Sequence, residues 1–259
     1  MSDLKTKLEN GGLVIGTMIS EIRNPNLAYM LVQSGFDFFI IDNEHGAYSP
    51  ETISNMIAAA RGAGIDVIVR IPEIRREAIM KPLDSGAAGL LVPMVNTADQ
   101  AEAIMTYAKY PPMGNRGVAL SRAHSAYRRP NPAEYLEQAN KSTFIAVQAE
   151  SPQAIENLES IAATAGVDSI FVGPADLSVG MGIPGQLTHH READAIARVI
   201  DVCQQHEVIP GIHMSNVDTL KGWIQRGMRF VSFSSDVDLL ARAGKESLAQ
   251  LRDGIEKQN

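Results

Sequence analysis

Glu150 and Asp176 stand just past two apolar runs, TFIAVQA and DSIFVG, in a chain of 259 residues. Two converging carboxylates, with room for water and substrate oxygens, form a typical hard-cation site. Magnesium, manganese or cobalt suits such a pair, whereas zinc sites usually want histidine or cysteine. The same residues have a plainer use, with Asp176 capping the short stretch DLSVG and Glu150 favouring the next helix dipole. Arg70 closes the run VIVR. A guanidinium there needs an anionic partner, and its planar fork suits a carboxylate or an enolate oxygen. An ion pair with Glu44 or Glu73 is the structural alternative. Asp42 precedes His45 by three residues after the run FFII. A carboxylate so placed can fix a histidine tautomer and raise its basicity, or the histidine can simply be hydrogen-bonded into its loop. Gln148, His213, Ser235 and Asp236 also follow apolar runs.

Several chemistries are absent. No lysine ends an apolar run, so an imine-forming aldolase has no evident nucleophile. No serine or cysteine sits in a recognisable nucleophile elbow, and the single Cys203 falls in the helix-like stretch AIARVIDVCQQH. The formal net charge is −7 with scattered basic residues, and only 5% of residues are aromatic, which argues against nucleic acid as partner. No apolar run is long enough for a membrane span, and the polar start MSDLKTKLENGG lacks a signal-peptide core, so a cytoplasmic protein is expected.

The elements that carry these groups repeat one pattern. SGFDFFIID, AGIDVIVRI, AGVDSIFVG and RGMRFVSFS each place a glycine before a β-branched or aromatic run, and SGAAGLLVP is a looser copy. Glycine takes the left-handed conformation at a helix end without steric cost, and a buried parallel strand follows. Gly35, Gly64, Gly86, Gly166 and Gly227 mark these ends; Asn24-Pro25, Ser49-Pro50, Asn131-Pro132 and Ser151-Pro152 mark helix starts. The pattern predicts strands at 13–18, 38–42, 66–70, 89–93, 143–149, 168–173, 208–212 and 229–233. Helices are predicted near 25–34, 50–62, 75–85, 97–108, 152–163, 190–206, 216–226 and 236–256. Alternation throughout residues 1–259 predicts one α/β domain, a (β/α)8 TIM barrel, whose catalytic groups gather at the C-terminal strand ends. An open doubly wound sheet is the alternative, but no G-x-G-x-x-G turn is present.

Four blocks carry a family resemblance: FDFFIIDNEHG at 36–46, VRIPEIRREAIMKPLDSGAAGLLVPMVNT at 69–97, PPMGNRGVALSRA at 111–123, and GPADLSVGMGIPGQ at 173–186. On these the chain resembles the HpcH/HpaI family of class II pyruvate aldolases over nearly its whole length. The resemblance implies Glu150 and Asp176 as ligands of a divalent metal (Mg²⁺, Mn²⁺ or Co²⁺). It implies that Gln148 and the backbone around Pro174, Ala175 and Asp176 hold a 2-oxo acid, and that Arg70 stabilises its enolate. His45, oriented by Asp42, would serve proton transfer, and Asp84 would support the site from a neighbouring subunit. The expected assembly is a homo-hexamer, a trimer of dimers, with the last barrel helix exchanged between protomers. In that helix, 236–256, Val237, Leu239, Leu240, Ala243, Leu248 and Leu251 form one apolar stripe.

The expected reaction is cleavage of a 4-hydroxy-2-oxo acid to pyruvate and an aldehyde, or its reverse. His213 departs from the aliphatic residue usual in the family's aldolases, and Ala149 is smaller than the residue expected before the glutamate. The aldehyde half is expected near His45, His213 and the 110–131 loop, where Arg122, His124, Tyr127, Arg128 and Arg129 offer contacts. A polar or anionic aldehyde follows from that placement. Two other readings are a citrate lyase- or malyl-CoA lyase-like acyl-CoA lyase and a catalytically silent barrel for binding or assembly. The first wants a basic nucleotide groove, which is not seen; the second would lack one of Glu150, Asp176, Arg70 or His45.

Overall fold

The structure is a computed structural model that describes residues 3–256. Its strands are β1 (Val14–Ile19), β2 (Phe38–Asp42), β3 (Asp66–Arg70) and β4 (Gly89–Val92), followed by β5 (Phe144–Ala149), β6 (Ser169–Val172), β7 (Ile209–Met214) and β8 (Phe230–Ser235). They close into a parallel barrel in sequence order, with β8 returning to β1. The (β/α)8 expectation is met, and the strand limits fall within about two residues of those read from the sequence.

The local reasons are those the sequence offered. Gly35, Gly64, Gly86, Gly166 and Gly227 all have positive φ at the helix ends. Ser49, Asn131 and Ser151 accept hydrogen bonds from backbone amides in the first turn of Pro50–Ala63, Pro132–Ser142 and Pro152–Glu156. Asn24 differs: its side chain accepts from the Asn26 amide, and the helix begins only at Leu27. The expected 152–163 helix breaks at Asn157 into two pieces. Asp3–Glu9 is a helix that the apolar pattern did not announce, with Leu4 and Leu8 buried in the same cluster as Phe38 and Phe144.

Inside the barrel, Phe230 stacks on Phe38 at 4.7 Å and meets Phe144 and Phe171 edge-on at 5.0 and 5.3 Å. Gly16 and Gly211 leave space for these rings, since a Cβ at either would stand 2.6 Å from Phe38 or Phe171. The aromatic layer closes the barrel below the C-terminal strand ends, so a ligand is held at the mouth. Among the described residues no helix is long and apolar enough to cross a membrane.

The helix Asp236–Glu256 is the exception to close packing. Its start is anchored because the Asp236 carboxylate accepts from the amides of Ser20, Glu21 and Ile22 and from the Ser20 hydroxyl. Beyond that, Leu240, Leu248 and Leu251 are 71%, 50% and 64% exposed. Its apolar stripe therefore does not lie on its own barrel.

Candidate active site

A cavity of about 580 Å³ opens at the C-terminal ends of the strands. Arg70, Gln148, Glu150, Asp176, His213 and His45 all line it, together with the Gly173–Ala175 backbone and Phe171. The groups singled out from strand ends therefore meet in one space.

Glu150 follows β5 and is 3% exposed. Its Oε1 accepts from the Met94 amide at 2.7 Å, and its Oε2 accepts from Gln148 Nε2 at 2.6 Å. Met94 adopts a left-handed backbone, φ 54°, to aim that amide. A non-glycine residue there is strained by about 1 kcal/mol or more, and such strain gathers at functional sites. Gly173 makes the third wall, since a Cβ there would lie 2.2 Å from Glu150 Oε2. Sequence reasoning missed the roles of Met94 and Gly173. The glycine after SIFV was visible in the sequence, whereas nothing marks a methionine for positive φ.

Burial dominates the electrostatics of this corner. Burial, then the nearby carboxylates of Glu44 and Asp176, push the Glu150 carboxyl up to about 7 against the Met94 amide and Arg70. Asp176 itself is exposed, in the first turn of Pro174–Gly180. Gln148 Oε1 is buried without a hydrogen-bond partner. Two hard carboxylates and an orphaned amide oxygen fit a divalent metal with water or substrate oxygens. Among the described residues no group of three or more His, Cys, Asp or Glu side chains forms a complete metal shell, so the protein would supply only part of it.

Arg70 is placed differently from the simplest expectation. The register Asp42↔Arg70 sets the two side by side, and Arg70 Nε and Nη2 donate to Asp42 Oδ1 and Oδ2 at 2.9 and 2.8 Å. Nη1 lies 3.0 Å from Glu44 Oε2. The structural alternative with Glu44 is thus present alongside the cavity placement, while Glu73 pairs with Arg75 at 3.0 Å instead.

The expected side-chain pair of Asp42 with His45 is not formed. Asp42 Oδ1 accepts from the backbone amides of Glu44 and His45 at 3.1 and 3.3 Å, and both of its oxygens are taken by Arg70. The His45 ring turns outward, 69% exposed, with Nε2 3.9 Å from Glu44. His213 projects from β7, and its Nδ1 lies 2.9 Å from the hydroxyl of Ser232, its register partner on β8. Burial, then the Arg70 charge, hold the His213 ring down to about 4.

The 110–131 loop does not cover the mouth of its own chain. It follows the helix Ala98–Ala108, which runs back antiparallel to the strands, so it lies at their N-terminal ends. There His124 and Arg116 line a separate cavity of about 540 Å³ beside the starts of β3 and β4. The His124 ring bonds the Tyr135 hydroxyl and the Ala119 carbonyl, while Arg122, Tyr127, Arg128 and Arg129 are exposed. Asp84 sits near the end of Arg76–Ser85, bonded to Arg116 at 2.6 Å, and does not line the mouth cavity either.

A family model described as HpcH/HpaI aldolase/citrate lyase matches residues 17–243. The chain belongs to this HpcH/HpaI family. Membership makes it a lyase. A curated HpcH/HpaI relative from Salmonella paratyphi C, named 4-hydroxy-2-oxo-heptane-1,7-dioate aldolase, is 38% identical over 255 residues, covering 98% of this chain and 95% of the relative. The crystal structure of an HpcH/HpaI aldolase from Desulfitobacterium hafniense superposes with a TM-score of 0.93 at 34% identity, covering 97% of each chain. The citrate synthase SbnG superposes at 0.89 with 29% identity, covering 99% of this chain and 100% of its own. The HpcH/HpaI framework is therefore shared by proteins named for different carbon–carbon bond chemistry.

Proposed function

We propose that this enzyme cleaves a 4-hydroxy-2-oxo acid to pyruvate and an aldehyde, and catalyses the reverse addition, with Mg²⁺, Mn²⁺ or Co²⁺ held by Glu150 and Asp176. One observation carries the reading: a buried carboxylate, fixed through both oxygens by Met94 and Gln148, shares a cavity with Asp176 and Arg70. No lysine lines that cavity among the described residues, which leaves imine chemistry without a nucleophile. A bound divalent cation would polarise the 2-oxo group and stabilise the enolate formed on cleavage.

The chain's own groups do the rest. The Ala175 and Asp176 amides, past the N–H-less Pro174, cradle the substrate carboxylate, and Gln148 hydrogen-bonds the 2-oxo acid. His45, on the cavity wall, removes the proton of the 4-hydroxyl. The C3–C4 bond then breaks, its electron pair passes into the enolate, and a carbonyl forms on the departing aldehyde. Arg70, held rigid by Asp42, faces the enolate oxygen with a permanent charge. Protonation at C3 completes pyruvate. Asp84 lies outside its own chain's cavity and serves a neighbouring copy in an assembly of six. The bare stripe on Asp236–Glu256 supports exchange of that helix between protomers.

The test is product analysis. Enzyme, pyruvate and Mn²⁺ are incubated with an aldehyde panel, and a 4-hydroxy-2-oxo acid is the expected product. Failure to form any such product, with condensation of acetyl-CoA instead, would replace this reading by the thioester one.

A further inference from the structure

Resting on the aldolase reading above, we infer that the aldehyde half of the substrate is uncharged and hydroxylated, and that His213, braced by Ser232, recognises its hydroxyl group. The cavity wall beyond the pyruvate groups carries His213, Ser215, Asn216, Thr219 and Thr188 beside the apolar Met18, Leu187 and Met214. None of these is a lysine or arginine. Arg70 is the only lysine or arginine lining the cavity among the described residues, and its guanidinium already faces Asp42 twice and Glu44 once. The carboxylates on the wall, Glu150 and Asp176, are those assigned to the metal.

With the metal committed to the pyruvate oxygens, a distal carboxylate would find no lysine or arginine of this chain on that wall free of carboxylate partners. Burying such a charge without a partner is unfavourable. The neutral His213 ring cannot repay that cost, because burial and Arg70 hold it down to about 4. It can exchange one directed hydrogen bond with a hydroxyl group.

The geometry for that bond is prepared. Ser232 is fully buried on β8 and pins Nδ1 at 2.9 Å. Register pairing of His213 with Ser232 fixes the ring from the strand backbone. Nε2 has no hydrogen-bond partner among the described residues, while the ring lines the cavity. A ring fixed on one side and open on the other selects a ligand that completes it. Cleavage of a 1,7-dioate, as in the name of the Salmonella relative, would release an aldehyde with a second carboxylate, for which this wall offers no such cation.

The experiment uses the Mn²⁺-loaded enzyme with pyruvate and four aldehydes: glycolaldehyde, glyceraldehyde, propanal and succinic semialdehyde. The hydroxylated pair should exceed both others in kcat/KM by about tenfold or more, since a site built to bond a hydroxyl rejects analogues lacking it. In His213→Leu the glyceraldehyde-to-propanal ratio should collapse to within about threefold. Ser232→Ala, which keeps the ring and removes its brace, should move the ratio the same way and decides the matter if His213→Leu does not fold. Preference for succinic semialdehyde, or a ratio unchanged in the folded variants, overturns the inference. Exchange of pyruvate methyl protons with deuterated water, measured without aldehyde, keeps the two levels apart. Exchange with the wrong aldehyde preference sinks only this inference, whereas no exchange sinks the aldolase reading beneath it.

Discussion

Arg70 and Asp42 are joined by two parallel hydrogen bonds between adjacent strand ends, at 2.9 and 2.8 Å. Burial alone would raise the Asp42 carboxyl, but the hydrogen bonds and charge of Arg70, with the His45 and Glu44 amides, hold it below its ordinary value. Asp42 is thus the fixed counter-charge that aims a guanidinium into the cavity.

The Arg70→Lys variant keeps a charge and loses the fork. Turnover should fall about 100-fold or more, as for loss of an oriented donor at a developing oxyanion. Urea unfolding should show a smaller penalty, about 1–3 kcal/mol, because an ammonium still meets Asp42 and Glu44. Near-normal turnover with a large stability loss would make Arg70 a structural ion pair only.

Gly173→Ala tests the carboxylate pocket without touching a charge. The added methyl would meet Glu150 Oε2 at 2.2 Å, so Glu150 must leave its two donors. Calorimetric Mn²⁺ affinity is expected to drop about tenfold to 100-fold, in line with disturbing a ligand's support. Wild-type affinity in the folded variant would remove Glu150 from the metal site.

Acid should act through His213. Its folded-state value, about 4, lies below the ordinary 6.5, so the unfolded chain binds more protons between those limits. This contribution to stability is complete above about pH 6.5 and is lost as the pH falls toward 4. Glu150 and Glu192, both pushed up to about 7, tilt the profile the other way, so a difference measurement is needed. The wild-type minus His213→Leu unfolding free energy should fall by on the order of 2 kcal/mol across that window. A flat difference would show a ring that protonates as freely folded as unfolded.

The strand ends and the groups they carry are legible in the sequence, whereas their partners across strands are not. Strand ends were readable because each helix stops on a positive-φ glycine before an apolar run, and parallel closure then sends Arg70, Gln148, Glu150 and His213 to one end. Pairing across strands was harder. Spacing along the chain pairs Asp42 with His45, but the register puts Arg70 beside it. Polar residues alone suggest the mouth for the 110–131 loop, but the preceding helix returns the chain to the opposite end. Met94 was invisible because its role lies in a backbone angle and an amide, neither of which leaves a mark on residue type.

The assembly prediction rests on the last helix. Leu240, Leu248 and Leu251 are exposed in a single chain, and covering three leucines is worth about 1.5–3 kcal/mol each. Light scattering should give a hexamer in dilute solution, and Leu240→Asp with Leu251→Asp should yield smaller species. A stable, active wild-type monomer would contradict the exchanged helix.

The most direct test of the central claim is exchange of the pyruvate methyl protons, followed by proton NMR in deuterated water. The account predicts exchange that stops on chelation, returns with Mg²⁺, Mn²⁺ or Co²⁺, and is lost in Glu150→Gln, with borohydride leaving no pyruvate on the protein. Exchange that survives complete chelation, or pyruvate trapped covalently on a lysine, would contradict it.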